Sequence, residues 1–309
     1  MQNEYRYEGA LINTERNRRL TKDVSGIYEA LETGEAVEGI GFLCDSGRNL
    51  HVRLGEFCGI IPAGECVYTA AGLPEKDIAV ISRVGKPVCC KVKAFEPGGG
   101  NPFLLLSRRD AKRDAMRDYV SRLIPGDVIE AKITRLDPFG AFCDIGRGIV
   151  SLLPIDCMSV SRITHPKDRF RNGQIIKAVV RSGCDGFGRI TLTHRELLGT
   201  WEENAAAFAP GQTAAGVIRS VEDYGVFVEL APNLAGLAEC REGAEVGQTA
   251  AVYIKSIIPE RMKIKLAIID CSDTRPETAE YVYPDVSHID RWRYSPDGCK
   301  KTVETVFNT

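Results

Sequence analysis

The chain has 309 residues, of which 44% are hydrophobic and 27% are charged, and this is typical of two or three soluble globular domains. Its 40 Lys and Arg residues and 42 Asp and Glu residues give a net charge of −2, which excludes a globally basic nucleic-acid binder but not a locally basic one. No uncharged apolar run reaches the roughly 18 residues of a membrane span. The charged residues near the N-terminus are atypical of a signal peptide.

The 11 Cys residues are scattered and include no Cys-x-x-Cys pair, so neither a disulfide framework nor a structural zinc site is expected. The four His residues share no ligand spacing, so we expect no metal. These features predict reduced thiols in a cytoplasmic protein.

The chain alternates between strand-rich blocks and short helical connectors. Strands are predicted where apolar residues alternate, and helices where they recur every three or four residues. In chain order the predicted segments are an N-terminal helical segment over 1–32, a strand block over 33–107, a linker helix over 108–124, a strand block over 125–193, a linker helix over 194–209, a strand block over 210–270 and an aromatic tail over 271–309.

An internal repeat relates the second and third strand blocks. Residues 125–145 align without gaps to residues 210–230 with five identical positions, among them Gly140 with Gly225 and Phe142 with Phe227. The first block is a weaker copy. Each block holds five short strands and no long helix, which is typical of a small closed barrel of the OB type. The sequence therefore predicts a mainly β protein of three tandem five-stranded OB-fold barrels joined by short helices.

The repeat carries motifs of a known family. Two barrels that open with Pro-Gly, carry Phe-Gly-Ala-Phe or Tyr-Gly-Val-Phe and are joined by Thr-x-x-Glu helices containing Trp201 resemble the RNA-binding domains of the ribosomal protein S1 family. The resemblance covers roughly residues 33–270, is strong in the second block and good in the third, and is degenerate in the first. It implies a short, three-domain relative whose barrels bind single-stranded RNA without strong sequence preference.

The resemblance also implies a binding face of two aromatic residues, a His, an Asp and an Arg. In the second block the matching positions hold Phe139, Phe142, Asp185 and Arg189, but Pro154 replaces the His. In the third block they hold Tyr224, Phe227 and Lys263, with Glu239 in place of the His and Pro259 in place of the Asp. In the first block none of the matching positions holds the family's residue, since they carry Arg48, His51, Pro62, Gly99 and Phe103.

The residues themselves support a single-strand groove in the second block. A bulge at Gly140 would present both Phe139 and Phe142 to stacking bases, although Phe142 could instead belong to the core. Residues 108–198 carry 17 Lys and Arg against 11 Asp and Glu, a local net charge of +6. On strands beside the aromatic residues, phosphate contacts are predicted for Lys132, Arg135, Lys177 and Arg189. The insert at 159–172 is either an RNA-contacting loop or a turn that closes the barrel end.

The function predicted is a non-catalytic protein that binds single-stranded RNA, acting on mRNA in translation at the small ribosomal subunit. The alternative is an adaptor whose first and third barrels dock to protein, while only the middle barrel touches RNA. No catalytic motif, cofactor, membrane or small-molecule partner is indicated. The aromatic tail is predicted to pack on the third barrel, with Arg291 and Arg293 facing its carboxylates, or else to dock to another protein.

Overall fold

The computed structural model describes residues 5–68, 77–98, 103–185, 188–274 and 281–307. The chain divides into two compact units. The first comprises Met1–Leu123, Asp144–Ser151 and Gly183–Arg189, and the second comprises Ile124–Cys143, Leu152–Ser182 and Ile190–Thr309. The predicted fold class is confirmed, because the strands form three closed five-stranded barrels. Within these described residues, no helix is long and apolar enough to cross a membrane.

The first barrel follows two short helices. Asp23 caps the second helix by accepting a hydrogen bond from the Gly26 amide, and Gly34, at φ 64°, ends it in the left-handed conformation that glycine favours. The barrel has the strand order β1-β2-β3-β5-β4, with two further helices between β3 and β4 and one helix after β5. The elements are α1 (Glu15–Leu20), α2 (Val24–Thr33), β1 (Val37–Cys44), β2 (Leu50–Leu54), β3 (Phe57–Ile61), α3 (Ala63–Cys66), α4 (Asp77–Ile81), β4 (Pro87–Glu96), β5 (Phe103–Ser107) and α5 (Arg108–Asp118).

The second barrel has the strand order β10-β8-β7-β6-β9. Its strands are β6 (Val128–Asp137), β7 (Gly140–Gly146), β8 (Ile149–Pro154), β9 (Ile175–Ser182) and β10 (Thr191–Thr193). Ala141 and Cys143 on β7 are buried, while Phe142 between them is only half-buried. Gly140 lets β7 approach β8 closely, since a Cβ there would lie 2.6 Å from the Leu153 carbonyl oxygen.

The connector to the third barrel differs from its prediction. Thr193 and Glu196 do bond through their side chains, but the turn that follows is only a 3-10 turn over Arg195–Leu197. The capping box instead joins Thr200 and Glu203, and it starts the short helix α6 (Trp201–Ala205). The linker helix predicted over 194–209 is thus much shorter than expected.

The third barrel has the strand order β11-β12-β13-β15-β14. Its strands are β11 (Thr213–Glu222), β12 (Gly225–Ala231), β13 (Leu234–Ala238), β14 (Thr249–Ile258) and β15 (Lys263–Ser272). The C-terminal segment adds a small sheet of β16 (Arg291–Arg293) and β17 (Glu304–Val306). Both Trp residues of the chain, Trp201 and Trp292, are buried in the core of this barrel.

The C-terminal segment packs as predicted but by other contacts. Trp292 and Tyr294 join the third barrel's core, and the Tyr294 hydroxyl donates to the Asn233 carbonyl at 2.5 Å. The expected pairing of its arginines with carboxylates of the third barrel is wrong. Arg291 pairs with Glu304 and Arg293 with Asp297, so both guanidiniums are paired inside the segment, while its rings fill the core.

Candidate nucleic-acid interface

Two aromatic rings lie together on the surface of the second barrel. Phe139, in the turn between β6 and β7, is 55% exposed, and Phe142 is half-buried on β7. Their ring centroids are 5.9 Å apart at 87°, an edge-to-face pair. The Ile155 amide donates to the Phe139 carbonyl at 3.0 Å and holds this turn in place. The structure therefore presents both rings, rather than burying Phe142 in the core.

A cation lies beside this ring pair. The Arg135 guanidinium carbon is 5.8 Å from the centroid of the Phe142 ring, within the range of a cation–π contact. The same guanidinium pairs with Asp137 at 2.7 Å, and the Arg135 side chain remains mostly exposed. Its position allows Arg135 to meet a phosphate while a base contacts the rings.

The other predicted cations of the second barrel have different surroundings. Lys132 is half-buried on β6, opposite Ile175 in the β6–β9 ladder. The Lys177 ammonium donates to the Pro284 carbonyl of the C-terminal segment at 3.5 Å. Lys177 and Arg135 thus each have a partner within the protein, a backbone carbonyl for Lys177 and the Asp137 carboxylate for Arg135.

Asp185 and Arg189, between β9 and β10, belong to the first compact unit and bond to each other. The Arg189 amide donates to Asp185 Oδ1 at 2.8 Å, and its Nε donates to Oδ2 at 3.1 Å. The Asp185 amide donates to the Arg189 carbonyl at 3.0 Å. These bonds orient the Arg189 side chain, which is 70% exposed.

The third barrel repeats the ring pair of the second. Tyr224 is 69% exposed and Phe227 half-buried, with ring centroids 6.1 Å apart at 88°. Lys263 begins β15 with its side chain exposed. Glu239, which replaces the family's His, is exposed and pairs with Lys255 at 2.7 Å. The hydrogen bond and charge of Lys255 lower the pKa of Glu239, so this carboxylate is compensated by a neighbour.

The first barrel lacks the family's pair, as its sequence indicated. Arg48 has a φ of 64° in the turn before β2, and His51 lies on β2. Phe103, at the position of the family's Arg, is exposed at the start of β5. Gly99, which stands at the family's Asp position, lies outside the described residues.

Arg169 in the 159–172 insert has a buried partner that sequence reasoning did not find. Its side chain is only 2% exposed. Its guanidinium donates to both carboxylate oxygens of Glu229, at 2.9 and 2.5 Å, and Arg219 donates to the same carboxylate twice at 3.0 Å. Phe170 is buried beside it, and the preceding residues Pro166–Asp168 form a 3-10 turn. No local sequence signal links Arg169 to a carboxylate 60 residues away.

Glu8 forms a second buried ion pair, in the first unit. Its carboxylate accepts from Arg108 Nε at 2.6 Å and from Arg108 Nη2 at 2.8 Å. Burial alone would raise the pKa of Glu8, but the charge and hydrogen bonds of Arg108, together with the charges of Lys112 and Arg83, outweigh it and lower the pKa to about 2. On α5, Arg113 pairs with Asp110 at 2.8 Å and Arg117 with Asp114 at 3.1 Å. The basic residues of α5 are thus largely compensated by carboxylates.

In the part of the chain that the structure describes, no group of three or more His, Cys, Asp or Glu side chains is arranged to hold a metal ion. An exposed aromatic ring with a cation beside it, as at Phe142 and Arg135, is an arrangement that can stack a base and neutralise a phosphate.

Comparison with known proteins agrees with the sequence resemblance. The family model described as the S1 RNA binding domain matches residues 122–195, which contain the second barrel. The small ribosomal subunit protein bS1 of Staphylococcus aureus strain COL is 29% identical over 281 residues, covering 84% of this chain and 68% of that protein. The bS1 protein of Staphylococcus haemolyticus is 28% identical over 269 residues, covering 79% and 68%.

Solved structures are also similar in part. A multidomain protein with nucleic acid binding domains from Streptococcus pneumoniae covers 81% of this chain and 76% of its own, at 13% identity and a TM-score of 0.24. GSP13 from Bacillus subtilis covers 29% of this chain and 62% of its own, at 21% identity and a TM-score of 0.23.

Proposed function

Since this chain is a multidomain relative of the ribosomal protein S1 family, we propose that it is a non-catalytic protein that binds single-stranded RNA, chiefly through its second barrel. The observation that carries the proposal is the exposed pair of Phe139 and Phe142 with Arg135 beside it. An unpaired base has a free face that can stack on such a ring, whereas a base inside a duplex does not.

The binding mechanism combines stacking with charge. Each base stacked on an aromatic side chain contributes about 1–3 kcal/mol, and every base has a face that can stack, so little sequence preference results. Cations beside the rings follow the phosphates, and each phosphate that they neutralise makes binding more salt-dependent. The residues proposed to form the interface are Phe139, Phe142, Lys132, Arg135, Lys177, Asp185 and Arg189 in the second barrel, and Tyr224, Phe227 and Lys263 in the third.

The third barrel is proposed as the weaker partner. Its ring pair has nearly the same geometry as that of the second barrel. However, Glu239 and Lys255 form an ion pair in place of the family's His, so this position offers no net positive charge. We expect Tyr224 and Phe227 to increase the affinity only for an RNA that is long enough to reach both the second and the third barrel.

The biological role proposed is the binding of mRNA during translation at the small ribosomal subunit, in the cytoplasm. Support comes from the relatives, whose name identifies them as proteins of that subunit. The adaptor alternative gains no support from the comparisons, because the matched family model describes an RNA-binding domain.

Fluorescence anisotropy of a labelled, unstructured RNA titrated with the full chain tests the proposal. We expect Phe139→Ala to weaken binding by about 1–3 kcal/mol, while Phe139→Tyr, which keeps a ring, retains affinity. Tyr253→Ala is the matched control, because it removes an exposed ring on β14 that belongs to neither ring pair. Equal affinity of wild type and Phe139→Ala would remove Phe139 from the interface, and no binding by wild type at low salt would refute the function.

A further inference from the structure

The first strand of the first barrel has an unusual surface. The pairing of β1 with β2 shifts between Gly41 and Leu43, which leaves Phe42 as an extra residue in a bulge. As a result the adjacent residues Phe42 and Leu43 are both exposed, Phe42 to 40%. Phe42 and Leu43 thus give β1 a small apolar surface that faces solvent.

The Phe42 ring lies in a cluster with a second ring and a cation. Its centroid is 6.1 Å from that of His51 on β2, with the rings inclined at 61°. The Arg53 guanidinium carbon is 5.6 Å from the Phe42 centroid. His51 Nε2 lies 3.2 Å from an oxygen of Asp45, and this contact fixes the imidazole. Within the described ranges Arg53 forms no ion pair, so its charge is available to a ligand.

Strand register relates this cluster to the ring pair of the third barrel. His51 pairs with Leu43, as Phe227 pairs with Ser220 across the matching bulge. His51 therefore occupies the strand-two position of Phe227, although its partner ring comes from β1 rather than from the turn. The centroid separation of 6.1 Å is the same as that of Tyr224 and Phe227, and close to the 5.9 Å of Phe139 and Phe142.

The first and third barrels also differ at two other matched positions of the ladder between their first two strands. Arg53 pairs with Ile40 as Glu229 pairs with Val217, and Phe42 occupies the bulge position of Arg219. Where the third barrel has a buried ion pair of Arg219 with Glu229, the first barrel has an exposed ring with an arginine over it. At this strand position the first barrel thus carries an arginine where the third barrel carries a glutamate.

We propose that Phe42, His51 and Arg53 form a separate site on the first barrel that stacks a base of single-stranded RNA and contacts its phosphate. The proposal rests on the proposed function and extends it to the barrel that lacks the family's residues. An aromatic pair with an adjacent arginine suits a base and its phosphate, since stacking uses the ring face and Arg meets phosphate with several donors. A purely apolar protein partner would leave the Arg53 charge without a counterpart.

The test is photo-crosslinking of the full chain to an RNA of roughly 40 nucleotides containing 4-thiouridine, long enough for three barrels at about 4–16 nucleotides each. Crosslinked peptides are mapped by mass spectrometry. We expect crosslinks at residues 37–54 as well as in the second barrel. Phe42→Leu keeps the apolar surface but removes the ring, and should lower the yield at 37–54 about fivefold or more, whereas Phe42→Tyr should retain it.

The outcomes separate this inference from the proposed function. If the wild type crosslinks at the second barrel but not at 37–54, or if Phe42→Leu crosslinks there as well as the wild type, the first-barrel site is refuted while RNA binding stands. If the wild type crosslinks nowhere and does not bind the RNA, the proposed function itself fails. Normal binding in a Phe42→Leu variant that loses a co-purifying protein would show that the surface docks protein instead.

Discussion

Substitution of Glu229 should destabilise the third barrel more than substitution of either arginine that it binds. Glu229 is 6% exposed and is shared by Arg169 and Arg219, which together donate four hydrogen bonds of 2.5–3.0 Å to it. Glu229→Gln leaves two facing guanidiniums without their carboxylate. Breaking a buried ion pair from one side typically costs about 3–5 kcal/mol, so we expect a loss of that size.

The arginine variants should lose less stability than Glu229→Gln, because Glu229 keeps one arginine partner in each. In Arg169→Met the carboxylate retains Arg219, and in Arg219→Met it retains Arg169. Arg219 is also the more exposed of the two, at 13% against 2% for Arg169, so Arg219→Met should be the mildest change. The expected order of destabilisation is therefore Glu229→Gln, then Arg169→Met, then Arg219→Met.

Urea unfolding followed by Trp fluorescence measures this order directly, since both Trp residues of the chain lie in the third barrel's core. With an m value of about 2 kcal/mol/M, Glu229→Gln should lower the urea midpoint by roughly 1.5–2.5 M. Glu239→Gln is the matched control, because the same substitution at an exposed ion pair should leave the midpoint unchanged. The reasoning is refuted if Glu229→Gln is no less stable than Arg219→Met.

Two further predictions concern the C-terminal segment and its contacts. Trp292→Ala should destabilise the third barrel by about 3–5 kcal/mol, because it leaves a cavity in the core. A thermal unfolding midpoint near that of the wild type would show that the C-terminal segment does not stabilise the barrel. His194 is buried, with Nδ1 donating to the Met158 carbonyl at 3.1 Å and the Tyr283 hydroxyl donating to Nε2 at 3.0 Å, and burial lowers its pKa to about 4. In the unfolded state the imidazole becomes protonated near pH 6.5, whereas in the folded state it stays neutral down to about pH 4. The free energy of unfolding should therefore fall by about 2 kcal/mol between pH 7 and pH 5. An equal fall in His194→Gln would contradict His194 as its origin.

The barrels could be predicted from the sequence because their strands are short and alternate, and because the Gly140 and Gly225 motifs repeat with the same neighbours. The exposed ring pairs followed from the same motifs. The ion pairs could not be predicted, since Arg169 and Glu229 meet only after the strands have closed, and neither has a local pattern that distinguishes it from a surface residue.

In the first barrel the family's motif does not predict which residues form a ring cluster. Its matching positions predicted only that the family's aromatic pair is missing. Phe42 becomes part of a ring cluster through a bulge, and the bulge depends on how β1 pairs with β2, which the strand pattern alone does not define. The C-terminal segment could also be predicted only in part. Its aromatic residues correctly predicted that it packs, but its charges suggested the wrong partners for Arg291 and Arg293.

The most direct test of the account is a salt titration of the full chain with a single-stranded RNA and with a duplex of the same sequence. If rings and cations act together, the single strand should bind more tightly at every salt concentration, because only its bases can reach Phe139 and Phe142. Its log affinity should fall linearly with log salt, by about 0.7 per phosphate neutralised. Equal affinity for the single strand and the duplex would contradict base stacking as the basis of binding.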